Sequence, residues 1–72
     1  MKTYIVKQAY PESDNYQALN LVNIDDPKDI IFCDGDEFYI GDKHATNEFT
    51  ITIRQYVDDN GFYNAPFAHK IL

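Results

Sequence analysis

Turn chemistry recurs along this chain and divides it into short segments. Pro11-Glu12-Ser13-Asp14-Asn15, Asp25-Asp26-Pro27, Asp34-Gly35, Gly41-Asp42 and Asp58-Asp59-Asn60-Gly61 punctuate it. Each favours a turn for a local reason. Asp and Asn bond to nearby backbone, Pro fixes φ, and Gly admits positive φ. The segments between these signals are rich in β-branched and aromatic residues, which suit a pleated, half-buried surface. The clearest is 49–57, where Phe49, Ile51 and Ile53 alternate with Thr50, Thr52 and Arg54. That period of two is a strand with one apolar face.

The expected fold is therefore all-β. Residues 1–72 are read as a single small β domain, an antiparallel barrel or sandwich of about five to six short strands. The alternative is an α+β fold with a short helix near 13–22. Asp14 and Gln17 fit a capping box there, and Leu19 and Val22 fit helical spacing. Asn15, Asn20 and Asn23 argue for strand instead.

Three hairpins follow from the turns. The first pairs 3–10 with 16–24. The second pairs Ile30–Cys33 with Phe38–Ile40 around an acidic tip, with Asp34-Gly35 or Asp34 to Glu37 as the loop and the same faces in either case. Its register puts Ile31, Cys33, Phe38 and Ile40 on the core face, and Ile30, Phe32 and Tyr39 on the other. The third pairs 49–57 with a strand from Phe62, around a type I turn with a bulge at Gly61. Pro66 marks that last strand as an edge or an interruption. Phe49, Ile51 and Ile53 are expected in the core, with Ile51 central enough that truncation unfolds the domain. The apolar tail Ala65 to Leu72 is expected to dock.

A chain of 72 residues buries only about 60 % of its unfolded surface. Cys33 is the only cysteine, so no disulfide or structural zinc site reinforces it. Six Tyr and five Phe supply core volume instead. The start of the sequence lacks a signal-like apolar stretch, and no segment approaches the length of a membrane span. With one free cysteine, a cytoplasmic setting is expected.

The motifs exclude more chemistry than they suggest. Asp34-Gly35-Asp36-Glu37 is too short for a calcium loop, because Phe38, Tyr39 and Ile40 stand where oxygen ligands belong. His44 and His69 have no metal-ligand spacing and read as a loop and a tail residue. Cys33 faces the core, where thiols are inert. No cofactor and no enzymatic activity is expected, since a barrel this small seldom holds both a core and a cleft of ~300 Å³.

Twelve Asp and Glu stand against six Lys and Arg, a net charge of −6. This balance opposes direct binding to nucleic acid or to anionic membranes. Lys2, Lys7, Lys28, Lys43, Arg54 and Lys70 are scattered, and the K-G-F-G-F-type motif of cold-shock domains is absent. The acids gather in the turns. Asp25, Asp26, Asp29, Asp34, Asp36, Glu37 and Asp42, with Phe32 and Tyr39 beside the acidic tip, form the expected partner-binding set. A negative rim with aromatics suits a basic protein surface, including one that itself binds nucleic acid. The expected function is a small inhibitor or adaptor on such a surface. Phage anti-defence and DNA-mimic proteins share this size and charge, and the comparison rests on those alone. The alternative is a structural homo-oligomer, such as a homodimer, or a small subunit of a larger assembly, with its edge strand and surplus aromatics buried in self-association.

Overall fold

The computed structural model describes residues 1–71 and contains six strands and no helix among them. The strands are β1 (Thr3–Ser13), β2 (Tyr16–Asn23), β3 (Asp26–Gly35), β4 (Lys43–Ala45), β5 (Phe49–Asp58) and β6 (Gly61–Lys70). They form one sheet in the order β4-β1-β2-β3-β6-β5, curled into a half-barrel. The all-β expectation holds, and the helix considered near 13–22 is replaced by the turn at Asp14-Asn15 and β2. Leu72, the end of the expected tail, lies outside the described residues.

The first hairpin forms as expected, with Ser13 opposite Tyr16 and Tyr4 opposite Asn23. Its register slips at Lys7 and again at Glu12, two bulges that bend β1 and keep its apolar side inward. β2 then pairs with β3 from Gln17–Gly35 to Asn23–Asp26. Residues 27–29 bow out of that ladder, between the pairs Val22–Ile30 and Asn23–Asp26. The third hairpin also forms, with Asp58 opposite Gly61 and Gly61 at φ 113°. That backbone region favours glycine, as the bulged turn requires.

The second expected hairpin does not form. β3 runs on to Gly35, and residues 36–42 leave it to reach β4 at the opposite side of β1. Phe38 is fully buried on this crossover. The Gln17 side chain grips it twice, Nε2 donating to the Phe38 carbonyl at 3.1 Å and Oε1 accepting from the Phe38 amide at 3.2 Å. A side-chain amide thus supplies the ladder bonds that a partner strand would have given. Ile40, placed in the core by the hairpin register, is exposed.

The place of Phe38 in the hairpin is lost, and so is the all-antiparallel sheet. β6 joins β3 in parallel through two rungs, Asp34–Phe67 and Gly35–Ala68. Gly35 is needed there. A Cβ on it would sit 2.5 Å from Leu19 Cδ1 and 2.9 Å from the Ala68 carbonyl oxygen.

The core lies on the inner face: Tyr4, Val6, Leu19, Leu21, Cys33, Phe38, Phe49 and Ala68, with Ala9 and Ile31 against it. Phe49 meets Tyr4 and Phe38 edge to face at 6.2 and 6.3 Å. The core ends there. β5 and β6 continue beyond it as a two-stranded arm, which accounts for a long axis of 39 Å against 23 and 19 Å. Ile51 and Ile53, expected inside, are 39 % and 69 % exposed. Their alternation fixes which face of β5 is apolar, but among the described residues the buried cluster reaches no further along β5 than Phe49.

Candidate functional site

The acids expected to act together are divided between the two ends of the sheet. Asp25 and Asp26 lie at the β2–β3 turn. Asp34, Asp36 and Glu37 follow the other end of β3, six β2 residues away, or about 20 Å at strand spacing.

At the first end, Asp29 is committed to internal bonds. The Tyr4 hydroxyl donates to its carboxylate at 2.6 Å, Asn23 Nδ2 at 3.0 Å, and Lys2 Nζ pairs with it at 3.2 Å. The bow at 27–29 carries Asp29 to these partners. They hold its carboxyl below the usual value, with the Tyr4 hydrogen bond contributing most. Asp25 and Asp26 remain exposed, with Asp26 Oδ1 accepting from the Lys28 amide. Asp42 lies beside β1, its backbone carbonyl accepting from the Val6 amide, and it too is exposed.

Phe32 and Tyr39, on the face opposite the core, are exposed, and the missing hairpin leaves them apart. Phe32 stands on β3 at an apolar cleft of about 310 Å³ that Leu19, Cys33, Ala65 and Pro66 also line. This open cleft reaches the volume that the chain length argued against. Burial raises the Cys33 thiol to about 11, so it is protonated near neutrality. Tyr39 lies on the crossover, with Lys70 Nζ 5.2 Å from its ring centre and the same distance from that of Phe38.

At the other end the arm brings together residues that the sequence left unconnected. On its outer face Tyr56 stacks on Tyr63 at 5.3 Å and meets Tyr16, at the start of β2, at 5.5 Å. Arg54 covers the same face, 4.6 Å from the Phe67 ring centre and 5.5 Å from that of Tyr56. Carboxylates surround the tyrosines. Burial, then the charges of Tyr16, Asp58, Asp34 and Glu12, push the Tyr63 hydroxyl above its usual value. Tyr56 is pushed up further, by burial first and then by Asp34. Its hydroxyl oxygen is buried, with Asp34 the side chain near enough to act on it and no well-formed hydrogen bond to it among the described residues. Beside this cluster a cleft of about 200 Å³ is lined by Asp36, Glu37, Phe67, His69 and Lys70.

One signal for this cluster was available. Once Asp59-Asn60 is taken as the turn, Tyr56 falls opposite Tyr63. Tyr16 and Asp34 had no such signal, because their meeting with Tyr56 depends on where the arm crosses the sheet. His44 is also repositioned. It belongs to β4, packs on Phe38 at 5.3 Å, and its buried Nε2 has no partner. His69 lies in β6, with Nε2 3.1 Å from Thr52 Oγ1.

Among the described residues, no three His, Cys, Asp or Glu side chains converge as metal ligands. No helix there is long and apolar enough to cross a membrane. Comparison with protein-family models, with curated proteins and with solved structures finds no match to this chain.

Proposed function

We propose that the chain is a protein-binding module that takes a basic segment of its partner on the Tyr16–Tyr56–Tyr63 cluster and the carboxylates around it. The observation that carries this reading is the cluster itself: stacked tyrosines with Glu12, Asp34 and Asp58 close enough to shift them. Tyrosine is the residue of binding hot spots, since it brings a large ring and a polar tip at little entropic cost. A lysine or arginine from a partner can lie over the half-exposed Tyr63 ring and gain both a cation–π contact and a nearby carboxylate.

The chain-wide charge of −6 then acts at longer range. It steers a basic surface toward this end and raises the on-rate more than the affinity. A basic surface so occupied is closed to nucleic-acid phosphates. That is how a small acidic chain serves as an inhibitor or adaptor of the DNA-mimic kind.

The test uses an arginine-rich peptide and an acidic control, with binding kinetics at two salt concentrations. The arginine peptide is expected to bind, more weakly at high salt. Glu12→Gln with Asp58→Asn is expected to slow association and flatten the salt dependence. Tyr63→Ala is expected to raise the off-rate about tenfold or more. Asp25→Asn with Asp26→Asn, at the far end, serves as the control and should leave the off-rate unchanged and slow association less. No binding of the basic peptide, or binding that ignores both the tyrosine and the acid variants, overturns the proposal.

A further inference from the structure

The arm has a second face, and it differs in kind from the tyrosine face. The β5–β6 register is unbroken, so the side chains opposite the tyrosines follow directly. They form the cross-strand pairs Phe49–Lys70, Ile51–Ala68, Ile53–Pro66, Gln55–Asn64 and Val57–Phe62. Phe49 and Ala68 belong to the core. Beyond them the stripe continues into solvent, with Val57 70 % and Phe62 75 % exposed. Ile51, Ile53, Val57 and Phe62 together present on the order of 400 Å² of apolar surface, the size at which a patch on a monomer marks an interaction site.

We propose that this face is covered by a second copy of the chain, with the two arms packed face to face about a two-fold axis at the Gln55–Asn64 pair. Three observations select that occupant. First, the chain carries twelve acids, and none of them is on these ten positions. Two copies that each carry −6 repel one another, and an apolar face free of acids is where they can meet. A basic partner finds no carboxylate here. Second, the stripe continues the monomer core, so pairing extends that core across the axis. Burying the face on both copies removes about 800 Å² of apolar surface. That area is close to the roughly 1,000 Å² that a specific interface needs. Third, the only polar pair within the stripe consists of two primary amides. An amide both donates and accepts, so Gln55 and Asn64 can satisfy their own symmetry mates. On this axis the Val57–Phe62 pair of one copy lies over the Ile53–Pro66 pair of the other, apolar against apolar.

The tyrosine face points away from this interface, so a pair would present two basic-segment sites. The inference therefore stands independently of the proposed function.

Sedimentation equilibrium of the full chain, up to about 100 μM, tests the proposal. A dimer that persists in high salt is expected, since the interface is apolar. Phe62→Glu or Ile53→Glu is expected to raise the dimer dissociation constant about 30-fold or more, by placing a desolvated charge in the interface. Gln55→Cys in a Cys33→Ala background is expected to give a covalent pair under mild oxidation, because the axis brings the two copies of residue 55 together. This cross-link does not depend on how well the charged variants fold. A wild-type monomer throughout the range overturns the proposal. So does a dimer that ignores both charged variants, or a Gln55→Cys chain that stays monomeric after oxidation.

Discussion

Phe38 and Ile53 show how little a side chain's hydrophobicity says about its contribution until its surroundings are known. Phe38 is enclosed by Phe49, His44 and Lys70 and held by Gln17, whereas Ile53 is mostly in solvent. Phe38→Ala is expected to cost about 3–5 kcal/mol, most or all of the margin of a domain this small. Ile53→Ala is expected to cost no more than about 0.5 kcal/mol in dilute protein. Denaturant unfolding of the two variants side by side measures the contrast. Asp29 supports a second prediction. Its carboxyl is held below the ordinary 3.8 by Tyr4, Asn23 and Lys2. A lowered folded-state pKa adds stability that is fully present above the unfolded value and is lost as pH falls through the folded one. Wild-type stability should therefore drop below pH ~4 more steeply than that of Asp29→Asn, which lacks the linkage. Equal slopes for the two proteins in acid titrations of the unfolding midpoint would show that the cluster contributes nothing.

Among the elements, β6 has the most demanding task. It closes a long ladder with β5, yet it attaches to the rest of the sheet through only two parallel rungs. Those rungs depend on close backbone approach at Gly35, where Leu19 Cδ1 and the Ala68 carbonyl leave no room for a Cβ. Gly35→Ala must push β6 outward or displace Leu19, at an expected cost of about 1–3 kcal/mol. Because the β5–β6 ladder is self-contained, the variant should keep its strand signal in circular dichroism while its unfolding midpoint falls. Loss of the strand signal would show that the arm cannot hold together without this junction. The crossover at 36–42 is the other unusual element. It is anchored by one aromatic ring and one glutamine, and it carries the chain from β3 to the far side of β1 without a strand of its own.

The molecule as a whole is a small core with an arm attached. The core draws on β1, β2, β3, the crossover, the first residues of β5 and Ala68 of β6, while the outer arm has its own cross-strand pairs and the Tyr16–Tyr56 contact. Local stability should follow that division, since segments with few buried apolar contacts open first. In protein diluted to monomer, the interstrand amides of 53–57 and 62–65 are expected to exchange before those of 19–22 and 31–33. At higher concentration the arm amides should gain protection if two arms pack together. Hydrogen exchange at two concentrations reads both effects. Uniform protection across arm and core in the dilute sample would contradict the division.

The sequence alone determined the strand content, the first and last hairpins and the inward side of the central strands. All three rest on short-range physics. Turn residues act on their own backbone, and a period of two acts along one strand. The burial of Ile31, Cys33 and Phe38 was legible for the same reason, although the hairpin offered to explain Phe38 does not exist. Asp34-Gly35 is good turn chemistry, and only the tertiary structure shows that Gly35 is used for close packing against Ala68 instead. The exposure of Ile51 and Ile53 was equally hidden, because alternation marks an apolar face without saying whether anything lies over it. The same holds for the candidate site. The abundance of acid was plain in the sequence. The separation of Asp25 and Asp26 from Asp36 and Glu37, the withdrawal of Asp29 into a bonded cluster, and the meeting of Tyr16 with Tyr56 were decided by the order of strands and the path of the arm. Those are long-range contacts, and the residues that make them carry no local mark of their partners.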